Sequence, residues 1–225
     1  MRNDIINDEF IRAARDFAYL MNQRYPRKTI LKIVGDRYLL NTFQRILLSR
    51  GIFRDDDIQM RIQKTVHEID AREVRIDAYN VFFTISNYLL GRIVFISNDR
   101  FLRDAGEVYG KLHKEPVFER AIDLTMKYLK KSSPSRVEFL LDKPISFSAE
   151  LAGKIRASLE SAKITGDAQV EKNPDTVLIR HESGIIATSD SDVLDETELP
   201  IVDLAHLVLA DSFTLDLPDL EKLIS

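Results

Sequence analysis

Two stretches decide how this chain is read: Val74-Arg-Ile-Asp77, followed by Ala-Tyr-Asn80, and Gly184-Ile-Ile-Ala-Thr-Ser-Asp190, followed by Ser-Asp192. Each is a short, largely apolar run that stops on an aspartate. A third, Val137-Glu-Phe-Leu-Leu-Asp142, has the same form. Strands that read as apolar runs rather than alternating ones are those buried on both faces of a parallel sheet.

Working outward, apolar runs at 74–76, 81–85, 94–96, 137–141 and 185–187 read as strands, and helical stretches fall near 116–131, 148–162 and 204–209. Pro116 and Pro174 sit where a first helical turn accepts proline, whose missing N–H is not needed there. Strands alternating with helices predict an α/β domain, a parallel sheet flanked by helices, over residues 71–225.

The N-terminal part has a different texture. Phe10, Ala13, Ala14, Phe17, Leu20 and Met21 recur at helical spacing, with Asn7 or Asp8 placed to cap and Pro26 to stop. A second helix from about Thr29 is expected to bury Ile30, Ile33 and Val34. Asn41-Thr-Phe-Gln44 is a capping-box pattern that starts a third, and Gly51 suits its C-terminal cap. Residues 1–70 therefore read as a small all-α domain. The stretch 55–73 is ambiguous between helix and extended chain, with Asp55-Asp-Asp57 a surface turn or a helix start.

The chain of 225 residues carries a net charge of −4 that is unevenly spread. Arg24, Arg27, Lys28, Lys32, Arg37, Arg45, Arg50 and Arg54 are opposed only by Asp36, whereas beyond Glu182 the sole lysine or arginine is Lys222. One end suits polyanions, and the other suits cations or repels phosphates; both are also what solvated surfaces look like. The chain has no cysteine, which excludes disulfides, zinc-thiolate sites and cysteine nucleophiles. Charge at Met1-Arg-Asn-Asp-Ile-Ile-Asn-Asp8 and the lack of an apolar run of roughly 18 residues point to a cytoplasmic protein that does not span a membrane. His67, His113, His181 and His206 lack metal-ligand spacing, and Gly106 and Gly110 fit no nucleotide-binding fingerprint.

Ligands of open α/β sheets bind outside the carboxyl ends of the strands, where strand order reverses. If the three aspartate-ended strands are neighbours, Asp77, Asp142 and Asp190 converge. Carboxylates brought together raise one another's pKa unless a cation joins them, and Mg²⁺ or Mn²⁺ is the hard, oxygen-seeking ion for that place. Such an ion polarises a phosphate and supplies a hydroxide. Each acid also has a structural alternative: an aspartate at a strand end is a frequent cap or turn former, with Asp142 opening Asp-Lys-Pro and Asp192 capping a helix after Ser191.

Ile76-Asp-Ala-Tyr-Asn-Val81 is similar to the first-strand motif of the NYN branch of PIN-like nucleases, and Ile186-Ala-Thr-Ser-Asp-Ser-Asp192 resembles the late-strand motif of that superfamily. The order of the whole chain resembles an uncharacterised prokaryotic family built from the domains of unknown function 434 and 5616. The resemblance implies a PIN-like sheet and metal-dependent cleavage of RNA, or sometimes DNA. It makes Asp77 and Asp190 metal ligands, Asn80 a loop-orienting or phosphate-contacting residue, and Asp192 a further acid; Asp142 shares the strand-end direction but matches the motif less closely. Ser189 falls in the late motif beside the substrate. The sequence departs from the pattern at Ala78, where glycine is usual, and in the intermediate helical acid, for which Asp104, Glu107, Glu150 and Asp175 all compete. Arg100, Arg103 and Lys111 are further candidates to hold phosphate, with Tyr109 to stack on a base, although Asp104 is equally placed to pair with Arg100 or Arg103. A phosphatase of the haloacid-dehalogenase type needs a second acid where Tyr79 stands, and a Toprim-like site needs a glutamate after its first strand. A non-catalytic nucleic-acid-binding protein with a degenerate site is the rival reading, and a homodimer through apolar C-terminal segments such as 204–209 is a third.

Overall fold

The computed structural model describes residues 5–106, 116–143 and 147–224. Lys111, Glu107, Tyr109, Gly110 and His113 lie outside these described residues.

Among the described residues the N-terminal part carries the helices α1 (Asp8–Asn22), α2 (Arg27–Arg37), α3 (Thr42–Gly51) and α4 (Asp55–Lys64). Asn7 caps α1 through its side chain, which accepts from the Phe10 amide at 2.9 Å. The capping box of α3 forms as the sequence suggests, with Asn41 and Gln44 each accepting from the other's backbone amide at 3.0 Å. Asp55, Asp56 and Asp57 fill the first turn of α4, where the helix dipole favours negative charge, so the ambiguous stretch is helical as far as Lys64. Ile30 and Val34 are buried, but Ile33 is 57% exposed, contrary to the expectation for α2. Gly51 does not adopt the left-handed conformation of a C-terminal cap. It ends α3 in close contact instead: a methyl there would meet Cδ1 of Leu220 and lie 2.6 Å from Cε2 of Phe95.

The α/β part runs β1 (Glu73–Asp77), α5 (Ala78–Leu89), β2 (Val94–Ile96), β3 (Leu102–Asp104), α6 (Pro116–Ser132), β4 (Arg136–Asp142), α7 (Ser148–Ala162), β5 (Gly166–Glu171), α8 (Pro174–Ile179), β6 (Ile185–Ala187), α9 (Ser191–Glu196), β7 (Ile201–Val202), α10 (Leu204–Ser212) and α11 (Leu220–Ile224). Five strands form one sheet in the order β5-β4-β1-β6-β7, and each neighbouring pair is parallel. β2 and β3 form a separate antiparallel hairpin. The run 81–85 is not a strand but the middle of α5. That helix is apolar nearly all round, so its residues show no period that separates it from a buried strand.

Alternate residues of the sheet feed two cores. Val74, Ile76, Val137, Phe139, Leu141, Ile185, Ala187 and Val202 pack with α5, α6, α7 and α10. Leu140, Ile186 and Ile201 face the other way, onto Leu178, Val193, Leu194 and Phe101. The N-terminal helices close a third core around Phe10, Phe17, Leu47 and Leu48, which takes in Phe95 and Ala105 from the hairpin region and Leu220 from α11. The hairpin thus ties the helical layer to the sheet. Among the described residues no helix is long and apolar enough to cross a membrane.

Candidate functional site at the strand ends

β4, β1 and β6 are consecutive neighbours running the same way, so the strands that carry Asp142, Asp77 and Asp190 deliver them to one edge. Counting only the sheet strands in chain order, the arrangement is 3-2-1-4-5, and the order reverses between β1 and β6. At such a reversal the connections leave to opposite sides and open a crevice between the strand ends.

Asp77 ends β1 and caps α5. Its Oδ1 accepts from the Asn80 amide at 3.2 Å, and its Oδ2 from the Thr188 hydroxyl at 3.0 Å. Thr188 follows β6, so this bond joins the two sides of the crevice. A second tie lies beside it: Oδ1 of Asn80 accepts from both the amide (2.9 Å) and the hydroxyl (3.0 Å) of Ser189. Asp190 caps α9, accepting from the amides of Asp192 (2.9 Å) and Val193 (3.3 Å). The cap falls to Asp190 rather than Asp192, which stands in the first turn.

Burial pushes the Asp77 carboxyl up to about 7, and the charges of Asp175 and Asp190 push the same way against the hydrogen bonds from Asn80 and Thr188. Asp175, in the first turn of α8, is raised by burial and then by the charges of Asp190, Asp142 and Asp192. Asp142 is raised by burial. Of the competing intermediate acids among the described residues, Asp175 is therefore the one within electrostatic reach of the strand-end group. Among the described residues none of these carboxylates has a lysine or arginine at ion-pairing distance; Arg50, Arg54, Arg61 and Arg103 are spent on other acids. Nor do any three acids or histidines among the described residues stand close enough to cage an ion between them.

The other sequence candidates lie as follows. Asp104 is buried on β3, accepting from the Thr84 hydroxyl and the Gly106 amide, with Arg50 at 3.7 Å. It pairs with neither Arg100 nor Arg103. Glu150 is a surface acid 3.8 Å from Lys154. Arg100 is held by Glu221 at 2.9 and 3.0 Å, away from the strand ends. Arg103 is 3% exposed and belongs to an internal network. It is bonded to Asp99 and to the Ser97 hydroxyl, and its Nε donates to the Ser189 carbonyl at 3.2 Å. Asp99 also receives Arg61, which grips Asp195 of α9 with two further bonds. The loop from Thr188 to Asp190 is thus held from both sides, by the start of α5 and by a buried charge network.

Asn80, Ser189, Asp190 and Asp192 open onto a cleft of about 660 Å³ whose far wall is built by Tyr25, Arg27 and their neighbours on the N-terminal helices. Thr188, Arg61 and Asp195 were not singled out from sequence. Thr188 lies inside the quoted late motif, but its partner is more than a hundred residues away.

A parallel α/β protein with a carboxylate-rich crevice at its strand reversal and a layer of basic helices across from it is the class that fold and site define. The chain belongs to the family described as Domain of unknown function (DUF5616), whose model matches residues 66–207. The preceding residues 9–64 match the model described as Protein of unknown function (DUF434). An uncharacterised protein of Methanocaldococcus jannaschii is 30% identical over 196 residues, covering 86% of this chain and 93% of the relative. No solved structure matches the chain.

Proposed function

We propose that this protein is a divalent-metal-dependent nuclease of PIN/NYN-like type that hydrolyses phosphodiester bonds of RNA. The observation that carries the reading is Asp77: a buried carboxylate at the strand reversal, with acids for neighbours and, among the described residues, no lysine or arginine at ion-pairing distance. An anion is stable in such a place when a metal ion joins it. The donor set suits Mg²⁺ or Mn²⁺, which are bound by one or two carboxylates, waters and substrate phosphate rather than by an all-protein cage. Asp77 and Asp190 would hold the ion directly, and Asp142, Asp175 and Asp192 would act through its waters. When bound, the ion would polarise the phosphate and lower the pKa of a water.

The chain's own residues do the rest. Thr188 and the Asn80 amide fix the Asp77 carboxylate in one orientation. The Asn80–Ser189 bonds hold the late loop against it, so the two acids do not drift apart. In the reaction the water oxygen forms a bond to phosphorus as the bond to the leaving ribose oxygen breaks, and that oxygen takes up a proton.

A second reading, a binding protein without chemistry, is favoured by one specific observation: Asp77 and Asp190 are both helix caps, a task that accounts for an aspartate at each position. The two readings part in a cleavage assay with labelled single-stranded RNA and Mn²⁺. The nuclease reading expects cleavage by the wild type, and loss of it with EDTA, in Asp77→Asn and in Asp190→Asn, each variant retaining the wild-type circular dichroism. Cleavage that survives in the folded double variant would overturn it.

A further inference from the structure

The wall of the cleft opposite Asp190 carries arginines whose partners can be followed one by one. Arg24 meets Asp56 at 3.1 Å, Arg50 meets Asp104 at 3.7 Å, and Arg54 holds Asp57 with two bonds of 2.8 Å. Arg61 and Arg103 share Asp99. Arg27 is different. Its terminal nitrogens donate to the carbonyls of Ser49 and Ile52, and among the described residues no carboxylate lies at ion-pairing distance. Its guanidinium stands 4.9 Å from the centre of the Phe53 ring, which Arg61 (4.1 Å) and Arg103 (4.6 Å) also flank. Burial, then the charges of Arg61 and Arg103, hold its pKa below the usual arginine value against the opposing charges of Asp57 and Asp195. Two residues away in sequence, Tyr25 lines the same cleft and is 57% exposed.

We propose that this wall is a binding site for one nucleotide of a single strand, with its phosphate on Arg27, flanked by Arg24 and Arg54, and its base stacked on Tyr25. A guanidinium crowded by like charges, with no carboxylate at ion-pairing distance among the described residues, is stabilised by an oxyanion, and its planar fork matches phosphate. An exposed aromatic ring at the same cleft offers a base its π-face. That face is open only in an unpaired strand, which selects single-stranded over duplex nucleic acid. The cleft volume lies within the range of small-ligand pockets, about 300–1,000 Å³. Asp190 and Asp192 on the facing wall repel phosphate, so in the absence of metal the strand's charge is drawn to the Arg27 side. The inference deepens the proposed function by naming how its substrate is held, and it rests on that reading only for the ligand's being nucleic acid.

The test is fluorescence anisotropy of a short fluorescein-labelled single-stranded RNA with the full chain in EDTA, over a salt series. Arg27→Gln and Tyr25→Ala are each expected to weaken binding about tenfold. Arg27→Gln also lowers the slope of log K against log salt by about 0.7, the contribution of one phosphate contact on a single strand, while Tyr25→Ala leaves the slope unchanged. Because Arg27 supports the end of α3, Arg27→Lys is measured beside it; it keeps the salt slope and loses part of the affinity. Wild-type protein that fails to bind, an unchanged slope in Arg27→Gln, unchanged affinity in Tyr25→Ala, or equal competition by polyglutamate would each overturn the site. The assay contains no free metal, so RNA that binds here but is not cleaved with Mn²⁺ overturns the nuclease reading alone. Cleavage indifferent to Arg27 and Tyr25 overturns this inference alone.

Discussion

Asp77→Asn is expected to make the metal-free protein more stable, and more so as pH rises. In the unfolded chain Asp77 ionises near 3.8, and in the folded protein near 7, because burial and the neighbouring acids disfavour its charge. Between these values the folded state binds the extra proton, so each pH unit removes about 1.4 kcal/mol of stability. The loss starts near pH 4, is complete near pH 7 and amounts to about 4 kcal/mol, of which about 3 kcal/mol falls above pH 5. Asparagine carries no such penalty. It keeps the carbonyl oxygen that accepts from the Asn80 amide, and Thr188 can turn its hydroxyl to accept from the new amide. Urea unfolding of both proteins in EDTA at pH 5 and pH 8 gives the comparison. The stability of Asp77→Asn minus that of wild type should rise by about 3 kcal/mol between the two pH values. A difference that is flat in pH, or a variant less stable than wild type at pH 8, would refute the picture of a buried, cation-starved carboxylate.

Asp99 is the opposite case. Burial alone would raise it, but the charges and hydrogen bonds of Arg103 and Arg61, with the Ser97 hydroxyl, bring it down to about 2. Its contribution is therefore present above about pH 4 and lost as pH falls toward 2. Asp99→Asn should cost about 3–5 kcal/mol in urea unfolding at neutral pH, since it leaves two buried guanidiniums short of a partner. Gly51→Ala should cost about 1–3 kcal/mol, because the new methyl meets Phe95 and Leu220 inside the third core; an unchanged melting temperature would refute this. Asp190→Ala should lose about 1 kcal/mol with the cap of α9, whereas Asp190→Asn, itself a good cap, should melt close to wild type.

The strand ends were legible in the sequence because buried parallel strands are brief apolar runs, and an aspartate that closes one is conspicuous. Val74–Asp77 and its two counterparts carried both fold and candidate site for that reason. β5, Gly166–Glu171, was not legible: it is an edge strand with only Ala168 buried, so it has no apolar run. α5 was mistaken in part for a strand because it is enclosed on nearly all sides and has no polar stripe. The far wall of the cleft was beyond reach for another reason. Arg24, Arg27 and Arg54 were visible as a basic run, but which of them has no ion-paired acid among the described residues depends on Asp56 and Asp57 in α4 and on the turn of the chain at Phe53. Likewise Arg103 looked like a phosphate ligand until Asp99 and Ser97, four and six residues before it, claimed its guanidinium.

The measurement that tests the central claim most directly is Mn²⁺ binding by calorimetry at neutral pH, with a non-hydrolysable single-stranded RNA analogue present. Wild type, Asp77→Asn and Asp190→Asn are compared after their folds have been checked. The account predicts binding by the wild type and its loss in both variants. Mn²⁺ that binds all three alike, or binds none of them, would contradict it.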